Sequence, residues 1–306
     1  MITVLGEALV DIIVDQAGEV TSVVGGAPLN TARTVARLGV PSTFLGGVST
    51  DSFGSRIMRL LAADGVTLGL GAQVPEPTTL AIAALDEGGA ATYRFLMEGT
   101  SAAAVTPEMA LAHLDPACRA IHVGTLGLVL QPLADASVAV VAAAGDDQLV
   151  MIDPNCRPSV MTGSNVFRDA LQAVTGRADI VKVSGDDLEF LYPGVDVLDA
   201  AARLQQESDA VVLFTDGARA VHVLASGADV VLEVPRVPVV DTVGAGDSFS
   251  GGFLAYWMHN DLGRADVRSI DRVVAAARFG IAVAGITCQR AGADPPHASE
   301  VPGGWE

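Results

Sequence analysis

The chain has 306 residues, close to the size at which a single hydrophobic core stops growing, so one large domain with a small appendage is expected. A net charge of −18 leaves no broad basic face for nucleic acid or anionic lipid, and neither is expected as a partner. Half the residues are hydrophobic, 33 are glycine and aromatics are few, which points to closely packed helices on a sheet cored by Ala, Val, Leu and Ile.

In chain order, "ITVLG" is a short buried strand ending at Gly6. "LVDIIVD" and "EVTSVV" flank "QAG", Gln16 to Gly18, as a hairpin. Glu7 and Asp11 lie inside this apolar opening and no basic segment precedes it, so neither a signal peptide nor a membrane span is expected, and the location expected is cytoplasmic. "GGAPLNTARTVARLG" offers a glycine pair, a proline suited to a first helical turn and a helix closed by Gly39. "STFLGGV" then reads as strand and "SFGSRIMRLLAADG" as helix. Val66 to Arg94 breaks into short extended pieces separated by "PEPT" and "DEGGA", too many for one crossover. Paired with the early hairpin they would make a small accessory sheet, since an isolated hairpin buries too little to persist.

After Pro107 strands and helices alternate: "AIHVG", "PLADASVAVVAAAG", "LVMIDPN", "VFRDALQAVTG", "ADIVKVS", "GDDLEFLY" and "AVVLFTDG". That rhythm predicts a doubly wound, mostly parallel sheet. Ligands of such sheets bind beyond the carboxyl ends of the strands, so the runs ending in Gly6, Gly47, Gly124, Asn155, Ser184 and Gly217 share one rim. The tail "GADPPHASEVPGGWE" is rich in Pro and Gly and predicts little regular structure.

Several chemistries drop out. Lys182 is the only lysine, so no P-loop pattern can be written. The three cysteines, Cys118, Cys156 and Cys288, are widely spaced and read as reduced small residues, and none of the five histidines forms H-E-x-x-H. What remains is "DTVGAGDSFSGGF", Asp241 to Phe253. With Phe249 to Asn260 as helix, Gly244, Ala245 and Gly246 form a turn whose amides are unobstructed, an anion site. Asp247 would then stand beside an electrophilic phosphorus, placed to accept the proton of an attacking hydroxyl. An acid in a first turn also caps helices, but capping alone needs no glycines.

These residues resemble the ribokinase-like, or PfkB, sugar kinases over nearly the whole chain. "DTVGAGDSFSGGF" is similar to that family's second signature, whose last Asp is the catalytic base and whose Gly-Ala-Gly builds the anion hole. "VGGAPLNTARTVARLG" is similar to the first, whose glycines and Asn contact the sugar. The resemblance implies a single ribokinase-like domain over residues 1–306: a doubly wound, mostly parallel α/β sheet flanked by helices. It also implies a small β-sheet lid from segments around 10–25 and 66–100.

It further implies an ATP-dependent kinase acting on a primary hydroxyl of a small sugar. Asp11, Gly25, Gly26 and Asn30 would bind the sugar, Phe95 would cover it, and Asn155 and Arg157 would face substrate or phosphate. By alternation alone Asp11 also suits an exposed strand position, and a strand Phe also serves a core. Lys182, Ser184, Thr215 and Gly217 would line the nucleotide side, with Ala277 and Gly280 at the adenine face. Ser184 and Asp187 stand at the two ends of the family's N-x-x-E motif, and Asp187 would hold Mg²⁺ through water. Asp241 is the candidate for a monovalent cation such as K⁺, although Pro296 replaces a hydroxyl that activated relatives carry. "GEALVDI" and "DPNCRP" resemble fructokinases most, leaving 2-keto-3-deoxygluconate and ribose as alternative acceptors and a non-catalytic sugar binder as the rival class. A homodimer through the lid completes the expectation.

Overall fold

The computed structural model describes residues 1–85, 91–225 and 227–305; the "DEGGA" stretch of the sequence reading, 86–90, lies outside them. Its strands are β1 (Ile2–Leu5), β2 (Leu9–Val14), β3 (Val20–Gly25), β4 (Ser42–Leu45), β5 (Thr67–Leu68), β6 (Thr79–Leu85) and β7 (Ala91–Leu96). They continue as β8 (Ala120–Gly124), β9 (Leu149–Asp153), β10 (Ile180–Ser184), β11 (Val211–Asp216), β12 (Ala220–Ala225) and β13 (Ala228–Glu233). The helices are α1 (Ala27–Arg37), α2 (Ser52–Asp64), α3 (Pro107–Ala112), α4 (Leu133–Ala142) and α5 (Pro158–Met161). After them come α6 (Asn165–Thr175), α7 (Gly185–Leu191), α8 (Val197–Ser208), α9 (Ala245–His259) and α10 (Ile270–Thr287).

The large sheet has the order β13-β12-β11-β10-β9-β8-β1-β4-β5, parallel from β11 to β5 with an antiparallel hairpin at the β13 edge. Its central strands are apolar on both faces because both are covered by helices. Ile2, Val4, Phe44, Leu149 and Met151 face a core completed by Phe249, Phe253 and Trp257 of α9 and by α10. Leu5, Leu45, Ile121, Val123, Val150 and Ile152 face the opposite core, completed by α4 and α6. The period-two alternation of each strand is what divides these residues between two layers.

The second sheet, β3-β2-β6-β7, joins the early hairpin to the later extended pieces, as the sequence predicts. One piece departs from that reading. Thr67–Leu68, counted with the lid, pairs in parallel with β4 at the edge of the large sheet, because α2 returns the chain there as an ordinary β-α-β crossover. A second difference concerns α9, which begins at Ala245 and not at Phe249: the Ser248 amide already donates to the Gly244 carbonyl at 2.8 Å.

The C-terminal tail is irregular apart from a short turn at Ala298–Glu300, yet it is docked. Trp305 stacks on Phe279 at 4.8 Å and on His259 at 4.0 Å, aromatic anchoring that propensity does not reveal. No helix among the described residues is long and apolar enough to cross a membrane.

Candidate active site

The mouth of α9 is built to leave amides uncovered. Gly244, its N-cap, has φ 76°, a left-handed conformation that residues with a Cβ avoid, and no side chain caps the helix. A Cβ on Gly244 would lie 2.5 Å from the Cβ of Ala293, so the loop after α10 can close against the turn only because the residue is glycine. The Ala245 amide donates to Thr242, whereas those of Gly246 and Asp247 have no acceptor among the described residues. Dipoles and free N–H groups thus converge on one point.

Asp247 lies in the first turn of α9, 8% exposed. Its Oδ2 accepts from Asn30 Nδ2 at 2.9 Å, and Thr31 Oγ1 donates to its backbone carbonyl at 3.3 Å. Burial pushes its pKa up to about 6; the Asn30 bond opposes that shift, Asp153 adds to it, and Lys182 and Arg157 oppose it. A base must be ionised to work, so kcat/KM should fall as pH drops through about 6. Replacing Asn30 by Leu removes the bond that favours the carboxylate and should move this acid limb to higher pH. A limb that stays in place would show that Asp247 is not the titrating base.

Beneath the turn lies a buried ion pair. Lys182 Nζ donates to Asp153 Oδ2 at 3.0 Å, each side chain 5% exposed. Burial works against the ammonium, and the carboxylates of Asp153 and Asp187 outweigh it, so Lys182 stays protonated. A Cβ on Gly246 would lie 2.9 Å from Nζ. Lys182, expected on the nucleotide side, is thus a buried charge under the first turn, paired with Asp153. His122 on β8 is held neutral, its pKa lowered to about 3 by burial and then by Lys182.

The small sheet carries Asp11, Gly25 and Phe95, residues expected on the sugar side. Register places Val23, Asp11, Ala81 and Phe95 in one row across β3, β2, β6 and β7, and directly opposed residues share a face. Phe95, expected to cover the sugar, packs in a small cluster with Leu9, Ala81 and Leu126. Asp11 is half-buried, its pKa raised to about 6 by burial against the opposing charge of Arg157. A Cβ at Gly25 would lie 2.3 Å from Asp11 Oδ2, and one at Gly26 would lie 2.5 Å from the Glu7 carbonyl. Asn30 is 5% exposed and its Oδ1 has no partner among the described residues. One amide thus holds the Asp247 carboxylate through Nδ2 and leaves Oδ1 as an open acceptor.

Arg157 links these parts. Its Nη1 donates to Asn155 Oδ1 at 2.7 Å and to the carbonyls of Asn155 and Cys156, with Asn155 in the left-handed region at φ 41°. Its charge reaches Glu7, Asp11, Asp153 and Asp247. Glu7 is the site residue that sequence reasoning missed. It is 1% exposed with Oε2 unpartnered, and burial, opposed by its own backbone amide and by Arg157, raises its pKa to about 8. The signal was present in "GEALVD", an acid closing a buried strand, but it was read only as evidence against a signal peptide.

Of the residues expected on the nucleotide side, Thr215 donates from Oγ1 to the Val183 carbonyl at 3.3 Å and Gly217 is exposed in the β11–β12 turn. Ser184 and Asp187 form a capping box on α7: Asp187 Oδ2 accepts from the Ser184 amide and hydroxyl, and Oδ1 from the Cys156 amide. With both oxygens so engaged and the residue 3% exposed, Asp187 fits a metal only through water, and no cluster of three His, Cys, Asp or Glu among the described residues could hold one directly. Ala277 and Gly280, expected at the adenine face, are buried in helix packing. A Cβ on Gly280 would lie 2.8 Å from the Phe249 carbonyl, so small residues there serve the α9–α10 seam. Asp241 meets the loop after α10, accepting from the Gly292 amide at 2.8 Å and the Val243 amide at 3.0 Å. Asp241, expected to hold a monovalent cation, thus has both carboxylate oxygens engaged by backbone amides.

Residues 1–299 match the model of the pfkB family carbohydrate kinases. A fructokinase of Rhizobium leguminosarum bv. trifolii is 33% identical over 276 residues, 89% of this chain and 84% of its own. One from Klebsiella pneumoniae is 33% identical over 263 residues, 83% of each chain. The crystal structure of Xylella fastidiosa fructokinase with bound ATP superposes with a TM-score of 0.85 at 28% identity, covering 95% of this chain and 93% of that one. With a family model matched over residues 1–299 and relatives 33% identical over more than four fifths of the sequence, the chain belongs to the pfkB family of carbohydrate kinases.

Proposed function

We propose that this protein is an ATP-dependent fructokinase. The observation that carries the reading is Asp247, a buried carboxylate at an uncapped helix mouth, held by Asn30 from the sugar side. Fructose is favoured as acceptor by relatives named fructokinase that are 33% identical over most of this chain.

In the proposed reaction the sugar lies between the lid row of Asp11 and Phe95 and the rim, with Asn30 Oδ1 accepting from a hydroxyl. Asp247 takes the proton of the primary hydroxyl as its oxygen bonds to the γ-phosphorus; the bond to the bridging oxygen breaks and ADP leaves. Amides of the Gly244–Asp247 turn bind the transferring phosphoryl, and Lys182 beneath them and Arg157 beside them balance its charge. The lid excludes water, which would otherwise compete as acceptor. Mg²⁺, held on the nucleotide phosphates and through water at Asp187, would supply further neutralisation of phosphate charge. Asp241 and the loop after α10 would hold K⁺, adding a fixed positive charge beside the turn. Thr215 and Gly217 would meet the nucleotide. The enzyme would work in the cytoplasm, and open strand edges on β3 and β7 favour a homodimer through the lid.

A coupled ADP-release assay with fructose, ribose and 2-keto-3-deoxygluconate tests the reading. Turnover highest on fructose is expected; a preference for another sugar would reassign the acceptor. Sugar-dependent melting without any turnover would make the protein a binder and overturn the enzyme.

A further inference from the structure

On the face that α1 turns toward α9, Asn30 reaches Asp247, and one turn later Arg33 reaches the loop that follows α10. Arg33 is 4% exposed, a burial that an unpaired guanidinium would not tolerate. Its Nη1 donates to the Ala293 carbonyl at 2.9 Å and its Nε to Asp64 Oδ2 at 2.6 Å. Asp64 is the last residue of α2, where the helix dipole disfavours a carboxylate and no gain in helix stability accounts for it. What does account for it is its pair of partners: Oδ2 accepts from Arg33, and Oδ1 from Arg37 Nε at 2.7 Å. Arg37 continues outward, Nη1 donating to Asp294 Oδ1 and to the Pro295 carbonyl, both at 2.6 Å. One buried carboxylate and two guanidiniums thereby join α1, the end of α2 and the 293–295 loop.

That loop is the outer wall of the anion turn. Ala293 closes against Gly244, and the Gly292 amide donates to Asp241 Oδ2. A Gly- and Pro-rich segment has no ladder of its own to fix its place, whereas charge-assisted bonds shielded from water define one. We propose that Arg33, anchored by Asp64, is a positioning residue for phosphoryl transfer: it locks the 292–295 loop against the anion turn and fastens that wall to the helix that orients Asp247. The inference rests on the kinase reading. Arg33 acts through Ala293 and touches no substrate, so its loss should disturb the nucleotide half of the site and spare the sugar half.

The test is Arg33→Met, with ATP and fructose kinetics and ADP titration by calorimetry. A loop displaced by a fraction of an ångström should raise KM for ATP and Kd for ADP by about tenfold and lower kcat by about tenfold, with KM for fructose within twofold. Arg33→Lys keeps the charge but cannot bridge Asp64 and Ala293 together, and should lie nearer to Arg33→Met than to the parent. Should Arg33→Met fail to fold, Asp64→Asn, which leaves both arginines without their anchoring charge, is read by the same constants. A lower melting temperature with unchanged constants, or equal rises for ATP and fructose, would reduce the clasp to a structural contact. Absence of turnover in the parent protein would sink the kinase reading alone, because ADP affinity still judges the clasp.

Discussion

Asp247→Asn should lower kcat by about 10²- to 10⁴-fold, the range general-base removal commands, with sugar affinity nearly unchanged. The substitution is close to isosteric. It keeps an oxygen for the Asn30 amide at the 2.9 Å separation seen here, so the pocket persists while the proton acceptor is lost. Among the described residues the other carboxyls are poorly suited to replace it: Asp153 is engaged by Lys182, burial holds the Glu7 carboxyl protonated with its pKa raised to about 8, and Asp11 lies on the second sheet. Stopped-flow or coupled-assay rates together with calorimetric sugar titration separate the outcomes. A variant that retains more than a tenth of the parent rate would remove Asp247 from the chemistry, and one that loses sugar binding in proportion to rate would make it a pocket residue.

The second large effect is expected at Gly244. Gly244→Ala must hold a methyl-bearing residue at φ 76°, at a cost of about 1–2 kcal/mol, and must push Ala293 outward, since the new Cβ would lie only 2.5 Å from that of Ala293. Both changes act where phosphate charge is received. A fall of about 10²-fold in kcat/KM for ATP is expected, comparable to losing one preorganised donor, with KM for fructose nearly constant. Calorimetry should register only a modest drop in melting temperature, since the residue belongs to neither core cluster. Unchanged nucleotide kinetics beside a lowered melting temperature would mean that the turn tolerates a side chain and is not the phosphate cradle.

The frame of this protein was legible because its signals are local. Period-two strands, Gly39 at a helix end and alternation after Pro107 each depend on residues close in sequence, and the resulting order of elements allows few topologies. The uncapped turn at the mouth of α9 was legible for the same reason: Gly244 to Asp247 are contiguous. What was not legible depends on contacts across the chain. Nothing near Lys182 shows that its ammonium is buried against Asp153, and nothing near Ala277 or Gly280 distinguishes a helix seam from an adenine wall. Asp187 shows the limit from the other side: Ser184 three residues earlier makes a capping box as well as a metal motif, and only the Cys156 amide, 31 residues away, reveals where its other oxygen points. Glu7 was legible as an acid in an apolar run, but its burial beside Arg157 and Asp247 depends on contacts across the chain.

Both tryptophans of the chain, Trp257 and Trp305, belong to the far end of α9. Ten residues of helix separate Asp247 from Trp257, about 15 Å at 1.5 Å per residue. Intrinsic emission should therefore be nearly blind to ligands entering the cleft and sensitive to loosening of the docked tail, giving an optical record of unfolding that occupancy does not contaminate.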